Sequence, residues 1–285
     1  MGAFFHRHRG ATPYLLLAPG ILWLAIFFLI PLAFLGYESL QSGLFPNFEF
    51  TWQFSNFSDG IRDYHTQLLR SFVYAGIATL ACLVLAYPLV YWIAFRAGAW
   101  RNLFLLFIVA PFFVTYLVRT LAWLNILADE GPVVGILRDL HILGPDGRLL
   151  ATTFAVVSGI TYNFFPFMAL PIYVSLEQMD ARLLEAAKDL YASPIQAFIR
   201  VTLPLSAPGI VAGTLLTFIP AAGDFINAAL LGTPNQAMIG NVIQSKFLES
   251  LDYPSAAALS FILMGLILVA LLVYARIVGS ERLTG

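Results

Sequence analysis

Six predominantly apolar stretches follow one another along this chain, at roughly 13–35, 71–95, 103–127, 151–176, 207–231 and 256–278. A helix rises 1.5 Å per residue, so about 20 such residues cross the hydrocarbon core of a bilayer. In that solvent the backbone must satisfy its own hydrogen bonds, and each stretch reads as a transmembrane helix. Composition leaves little else to consider. Hydrophobic residues make up 60% of the 285, charged residues only 11%, and mean hydropathy is +0.82. A soluble domain carries about 25% charged residues, so so little charge does not cover a surface facing water. The expected fold is all-α: one polytopic membrane domain over residues 1–285 with six transmembrane helices. The fifth stretch is the weakest, because Pro208, Gly209, Gly213, Pro220 and Gly223 lie in or beside it. Membrane helices tolerate such residues where neighbours satisfy the freed backbone groups, and small residues let helices approach closely.

Basic residues orient the spans. With the N-terminus inside, Arg7, Arg9, Arg96, Arg101, Arg182, Lys188, Arg200, Arg276 and Arg282 fall on the cytoplasmic side. Arg62, Arg70, Arg119, Arg138, Arg148 and Lys246 fall towards the outer side. The excess has the sign that the positive-inside rule requires, and both termini are expected in the cytoplasm. The first apolar run is longer than a signal-peptide core and lacks a clear small-x-small site after it, so it reads as a retained helix. Cys82 lies within the second span and reads as a small packing residue. The four histidines are scattered or terminal, and no metal site is expected. The outer connection 37–70 carries Phe48, Phe50, Trp52, Phe54 and Phe57. It reads as an aromatic belt at headgroup level, with a docking surface for an external partner as the alternative. In the loop 128–150, Asp129-Glu130-Gly131-Pro132 and Gly144-Pro145-Asp146-Gly147 are turn-forming, with a short helix expected over 133–140.

One cytoplasmic connection, 180–204, is polar and helical where the rest of the chain is apolar. Asp180 is placed to cap a helix from Ala181, with Leu183, Leu184, Ala187 and Leu190 on one face. Ser193, Pro194 and Gln196 form a capping-box pattern for a second helix. Ile195, Phe198 and Ile199 give that helix its apolar face, and Leu203-Pro204 is expected to end it. Tyr191-Ala192 is then the whole turn. A membrane-surface hairpin would be richer in Lys and Arg on its polar face, so the better reading is a knob for a cytoplasmic partner.

From Glu185 the residues read Glu185-Ala186-Ala187, then Tyr191, then Val201, then Leu203-Pro204. This resembles the signature of permease subunits of binding-protein-dependent ABC importers: Glu-Ala-Ala, three residues, Gly, nine residues, Ile, one residue, Leu-Pro. Every spacing matches, while Val201 stands for Ile and Tyr191 for Gly. Pro111-Phe112-Phe113, Leu117-Val118-Arg119-Thr120, Ala122-Trp123, Tyr162, Phe165-Pro166-Phe167-Met168, Pro171-Ile172-Tyr173 and Leu183-Leu184-Glu185 resemble the spermidine/putrescine branch. Ile239-Gly240-Asn241-Val242-Ile243 and Asp252-Tyr253-Pro254 resemble the loop before its last span. The chain is similar to the first of the two membrane subunits of that importer.

The resemblance implies a type I ABC importer permease fold in a bacterial inner membrane, in which 180–204 is the coupling hairpin. Glu185, Ala186, Ala187, Asp189, Leu190, Tyr191, Ala192, Ser193 and Pro194 would then meet a cytoplasmic ATP-binding subunit. The implied partners are a pair of those subunits, a second related permease forming a heterodimer, and an extracytoplasmic substrate-binding protein. The chain has no Gly-x-x-x-x-Gly-Lys-Ser/Thr string. It is expected to be a non-catalytic permease binding no cofactor, with ATP and Mg in the partner ATPase. If the family's Gly serves a left-handed turn, Tyr191 would carry about 1–2 kcal/mol of strain. The expectation is a turn built differently, the alternative a ring contact with the ATPase.

Two ionisable residues fall well inside spans, Arg119 and Asp224. Intramembrane charges are costly and usually face the bundle interior. They are read either as a structural Arg–Asp pair or as part of a translocation path. For a polyamine, Asp224 would balance ammonium charge, and Tyr116, Trp123, Tyr162 and Phe165 would hold carbons and cations on their faces. Another solute on the same architecture (an opine, an iron complex or an oxyanion) stays open, since Arg119 suits an anion. A membrane-embedded enzyme would need a denser cluster than Asp129, Glu130 and His141. A secondary transporter would not explain the hairpin.

Overall fold

The structure, a computed structural model, describes residues 12–144 and 146–280. Arg7, Arg9, Arg282 and Pro145, used in the sequence reading, lie outside the described residues. Helices α1 (Thr12–Leu24) and α2 (Ile30–Ser39) lead into a hairpin of β1 (Gln41–Leu44) and β2 (Asn47–Phe50). They are followed by α3 (Ser55–Arg96), α4 (Arg101–Val109), α5 (Tyr116–Leu127), α6 (Pro132–Asp139) and α7 (Thr153–Glu177). The remainder is α8 (Ala181–Asp189), α9 (Pro194–Ala197), α10 (Leu203–Ala222), α11 (Ile226–Leu231), α12 (Ile239–Leu248) and α13 (Tyr253–Ser280). Six helical stretches are long and apolar enough to cross a membrane: Leu17–Ser39, Ser55–Arg96, Tyr116–Asp139, Thr153–Glu177, Pro194–Ala222 and Tyr253–Arg276.

The chain divides into two compact units. The first takes the residues up to Asp63 together with Ser245–Ile262. Here the aromatic connection folds as the antiparallel hairpin β1–β2, pairing Gln41 with Phe50 and Leu44 with Asn47. Gly43 adopts φ +94°, and a Cβ there would meet the Asn47 carbonyl at 2.2 Å; only glycine fits. The Asn56 amide donates to the Ser39 and Gln41 carbonyls, at 2.9 Å each, and ties the hairpin to α3. Tyr37 stacks on Phe50 (4.7 Å), and Phe48 and Phe247 close on Tyr253 (5.5 and 4.9 Å). The strands were not expected from the sequence, where the aromatics read as an interfacial belt.

The second unit takes Tyr64–Gln244 and the residues from Leu263. Its centre is the packing of α7 on α10. A Cβ on Gly209 would lie 2.4 Å from the Pro171 carbonyl, and one on Gly213 3.0 Å from that of Met168. These glycines therefore set the distance between the two helices, as small residues do where membrane helices meet. Ile160, Met168, Ile172 and Leu176 of α7 are fully buried. Cys82 is a packed core residue whose thiol donates to the Thr161 carbonyl at 3.3 Å, as its position in the second span suggested.

Two expected spans are built differently. The stretch 103–127 is not one helix. After α4 the chain tightens into a 3₁₀ turn at Ala110–Phe113, then runs extended through Val114 and Thr115 (ψ 136° and 148°) before α5 begins. Pro111 removes a helical donor, and the β-branched pair Val114-Thr115 favours extended backbone. The stretch 207–231 is cut at Gly223–Phe225. At its other end, Leu203-Pro204 does not terminate the hairpin's second helix. A wider π-turn at Phe198–Thr202 carries the helix past Pro204, so Pro194–Ala222 is helical throughout. The looser turn keeps the carbonyls before Pro204 clear of its ring, a recognised way through such a residue. The same arrangement, a π-turn at Ala25–Leu29 just before Pro31, recurs in the first span.

Gly209→Ala is expected to destabilise the α7–α10 contact by about 1–3 kcal/mol, the range for overpacking. The readout is the thermal midpoint of the protein in detergent. An unchanged midpoint would show that the helices do not meet at Pro171.

Candidate functional site

The hairpin follows its caps. The Arg182 amide donates to Asp180 Oδ1 (2.9 Å), starting α8. At α9 the capping box is complete: the Gln196 amide donates to Ser193 Oγ (3.3 Å), and the Ser193 amide to Gln196 Oε1 (3.0 Å). Between them α8 ends in a left-handed residue. Tyr191 has φ +59°, and the Ala192 amide donates back to the Ala187 carbonyl at 3.0 Å. That six-residue return is the Schellman closure, whose left-handed position normally holds glycine. The expectation that Tyr191 avoids the glycine conformation is therefore corrected: the turn is the left-handed one, and tyrosine occupies it at a steric cost.

The hairpin's base is packed and its tip is bare. Ala187 and Ala197 are buried, and Phe198 sits edge-on against Tyr87 (5.5 Å) and Tyr91 (6.0 Å) of α3. Leu190, Tyr191 and Ile195 are 81%, 97% and 71% exposed, and Glu185, Ala186, Asp189, Ser193 and Pro194 are exposed too. Ala192 is half-buried.

The second feature lies where the two broken spans meet. Asp224 is only 6% exposed and lies in the break, just after the Gly223 that ends α10 and just before α11, whose first amides it accepts. Its Oδ1 accepts from the Ile226 and Asn227 amides (2.9 and 3.2 Å), and its Oδ2 from Tyr116 Oη (2.8 Å) and Asn227 Nδ2. Asn163 Nδ2 donates to Thr120 Oγ1 and Asn227 Oδ1, both at 3.3 Å. The Asn241 amide group donates to the Phe225 carbonyl (2.8 Å), which also accepts the first helical bond of α11 from the Ala229 amide (3.0 Å). Gly240 allows this approach, since a Cβ there would lie 2.7 Å from the Gly223 carbonyl. Four helices (α5, α7, α11 and α12) and the Gly223–Phe225 break thus converge on one polar junction.

Arg119 belongs to the junction without pairing in it. It is 8% exposed and forms no ion pair with Asp224, so the structural Arg–Asp pair is absent from this conformation. Its guanidinium lies over the Phe112 ring (5.4 Å) and the Tyr116 ring (5.6 Å), and its buried Nε and Nη1 have no acceptor.

Of the expected path residues, Tyr116, Arg119 and Asp224 are brought together. Trp123 and Tyr162 pack against each other at a tilt (5.6 Å, 57° between the rings). Phe165 is turned to another face of α7, where with Tyr162, Phe104 and Phe107 it lines an apolar cavity of about 250 Å³. Phe112, Thr120, Asn163 and Asn227 were missed. The signal for the two asparagines was available, because an amide inside an apolar span needs a partner as surely as a charge does.

Residues 11–280 match the family model described as the binding-protein-dependent transport system inner membrane component. The chain belongs to this family. It is a multi-pass inner-membrane permease. The relatives include the spermidine/putrescine transport system permease protein PotB of Haemophilus influenzae, 38% identical over 89% of this chain and 90% of that protein. PotB of Escherichia coli K12 is 41% identical over 75% of this chain and 78% of its own length. The inner membrane ABC transporter permease protein YdcU of the same organism is 31% identical over 95% and 90%. Among solved structures, a bacterial ABC transporter importing the acidic polysaccharide alginate superposes with TM-score 0.75 at 18% identity, covering 99% of both chains. The MetNI methionine ABC transporter gives TM-score 0.59 at 15% identity, covering 75% of this permease and 94% of its own chain. At those identities the likeness concerns the fold: an ABC importer permease of type I.

In this permease Asp224→Asn replaces one carboxylate oxygen, the acceptor of two of the four hydrogen bonds, by an amide nitrogen that donates. A loss of about 1–3 kcal/mol is expected, read as a lowered thermal midpoint in detergent. No change would mean that Asp224 does not hold the break.

Proposed function

We propose that this permease forms half of the translocation path of an ATP-driven polyamine importer. It pairs with a second, related permease. Its 180–204 hairpin inserts into one of a pair of cytoplasmic ATP-binding subunits, and an extracytoplasmic binding protein delivers spermidine or putrescine. Both termini lie in the cytoplasm, on the hairpin's side. ATP and Mg belong to the partner, and this chain supplies no catalytic residue.

The observation that carries the reading is the hairpin tip: Leu190, Tyr191 and Ile195 stand exposed on a turn whose base is packed. Apolar residues exposed together at the end of a rigid element are what a partner covers. Glu185, Ala186, Ala187, Asp189, Ala192, Ser193 and Pro194 complete the docking element. The substrate class is supported by the printed names of the PotB relatives. At the other end of the continuous helix, Asp224, Arg119 and Tyr116 are assigned to the path, with Trp123, Tyr162 and Phe165 as an aromatic flank. One observation favours a second reading, an anionic solute: the unpartnered Nε and Nη1 of Arg119.

Co-purification tests the first claim. The permease should bring down a cytoplasmic ATPase, and Glu185→Lys or Ala187→Asp should abolish coupled uptake of spermidine. If no ATPase associates, the reading fails. Tyr191→Gly separates two effects of opposite sign. Removing the left-handed strain is expected to steady the turn by up to about 1 kcal/mol, slowing hydrogen exchange at the Ala192 amide. Losing the ring is expected to weaken ATPase binding. Undiminished binding would remove Tyr191 from the interface.

A further inference from the structure

A guanidinium at Arg119's position is held in an unusual way. It sits inside an apolar span, more than nine-tenths buried, with Nε and Nη1 lacking any acceptor and no carboxylate in reach. It also lies in the opening turns of α5, where the helix dipole is unfavourable to a cation. What offsets these costs is the two ring faces, Phe112 and Tyr116, both within the distance at which a cation is attracted to an aromatic quadrupole. Behind Tyr116, its hydroxyl donates to Asp224 at 2.8 Å, so the carboxylate's field reaches the same spot.

Two aromatic faces backed by a carboxylate are the parts of a cation site, and here the chain's own arginine fills it. The contact also spans a break. Phe112 lies before the extended Val114-Thr115 pair and Arg119 after it. A change of angle at that pair separates the guanidinium from Phe112 without unfolding a helix. Non-helical backbone at this depth is tolerated where it is buried in protein or lines a water-filled cavity.

We propose that Phe112, Tyr116 and Asp224 form an ammonium subsite of the path, and that Arg119 is a tethered cation occupying it until substrate displaces it. The plug keeps the junction closed to small cations while no polyamine is present. It also accounts for a buried arginine with unpaired donors in a permease for cations, which an anion-binding role would explain only for another solute. The proposal deepens the polyamine reading and rests on it.

The test uses the complete transporter, permease pair with ATPases, in detergent and in proteoliposomes, with spermidine as the probe. Arg119→Gln empties the rings. Spermidine binding to the complex without binding protein should tighten by about 3- to 10-fold, a range fitting a single cation–π contact, and ATPase activity without binding protein should rise. Arg119→Lys should reverse most of the gain, and Phe112→Leu added to Arg119→Gln should abolish it. If Arg119→Gln does not assemble, Arg119→Met takes its place, with the same tightening expected. Phe113→Leu, whose ring is 84% exposed, is the control that should change nothing. Unchanged binding in Arg119→Gln, or equal effects of Phe112→Leu and Phe113→Leu when each is added to Arg119→Gln, overturns the plug. If the wild type imports spermidine but the variants bind it no better, only the plug falls. If the wild type imports none while Arg119→Gln still binds it more tightly, the polyamine reading falls and the subsite stands. Tighter binding of an anion by the wild type than by Arg119→Gln would overturn both.

Discussion

Hydrocarbon offers no hydrogen bonds to a peptide group, and this constraint shapes the permease more than any single contact. It makes the chain helical nearly throughout and makes each interruption conspicuous. Where the third and fifth spans open, at Val114-Thr115 and Gly223–Phe225, freed backbone groups must find partners inside the protein. At the fifth-span break the first amides of α11 find the Asp224 carboxylate, and Asn241 adds a second donor to the Phe225 carbonyl. The polar junction is thus first a repair of the broken fifth span, braced by Tyr116 at the start of α5.

The hairpin and the junction are the two ends of one rod. Pro194–Ala222 runs as 29 helical residues, about 43 Å at 1.5 Å per residue. Tyr191 lies just before its start and Asp224 just after its end. The π-turn at Phe198–Thr202 lets the rod pass Pro204, and Gly209 and Gly213 press it against α7. The helix is thus unbroken between the hairpin and the Gly223 break, with its π-turn and the internal Pro208 and Pro220 as the places where it can bend. Had Pro204 ended the hairpin helix, a flexible joint would stand between the tip and the span.

Much of this was legible in the residues. Apolar length placed the spans, and local caps at Asp180 and Ser193 placed both hairpin helices, because capping is a short-range rule that tertiary packing rarely overrides. The helix at Pro132–Asp139 was equally local in its signals. What escaped depended on three-dimensional surroundings. Pro204 looked like a stop because sequence carries no sign of a π-turn. Val114-Thr115 looked like more apolar helix, since hydropathy does not register backbone shape. The strands Gln41–Leu44 and Asn47–Phe50 were hidden by their aromatics, which suit a membrane belt as well as a sheet. Asn163 and Asn227 were passed over for carrying no charge, although uncharged amides hold the junction together.

Tyr191 shows how a departure from a family pattern becomes informative once its backbone is known. A tyrosine in an ordinary turn would say nothing. A tyrosine at φ +59°, closing a Schellman motif and 97% exposed, costs stability that no contact within the chain returns. Such strain persists when the surrounding structure over-determines it and often coincides with a working surface. The caps at Asp180 and Ser193 and the buried Ala187 and Ala197 supply that determination from both sides. The turn is held left-handed by its neighbours whatever residue fills it. The side chain at that position is consequently free to serve whatever lies beyond the tip.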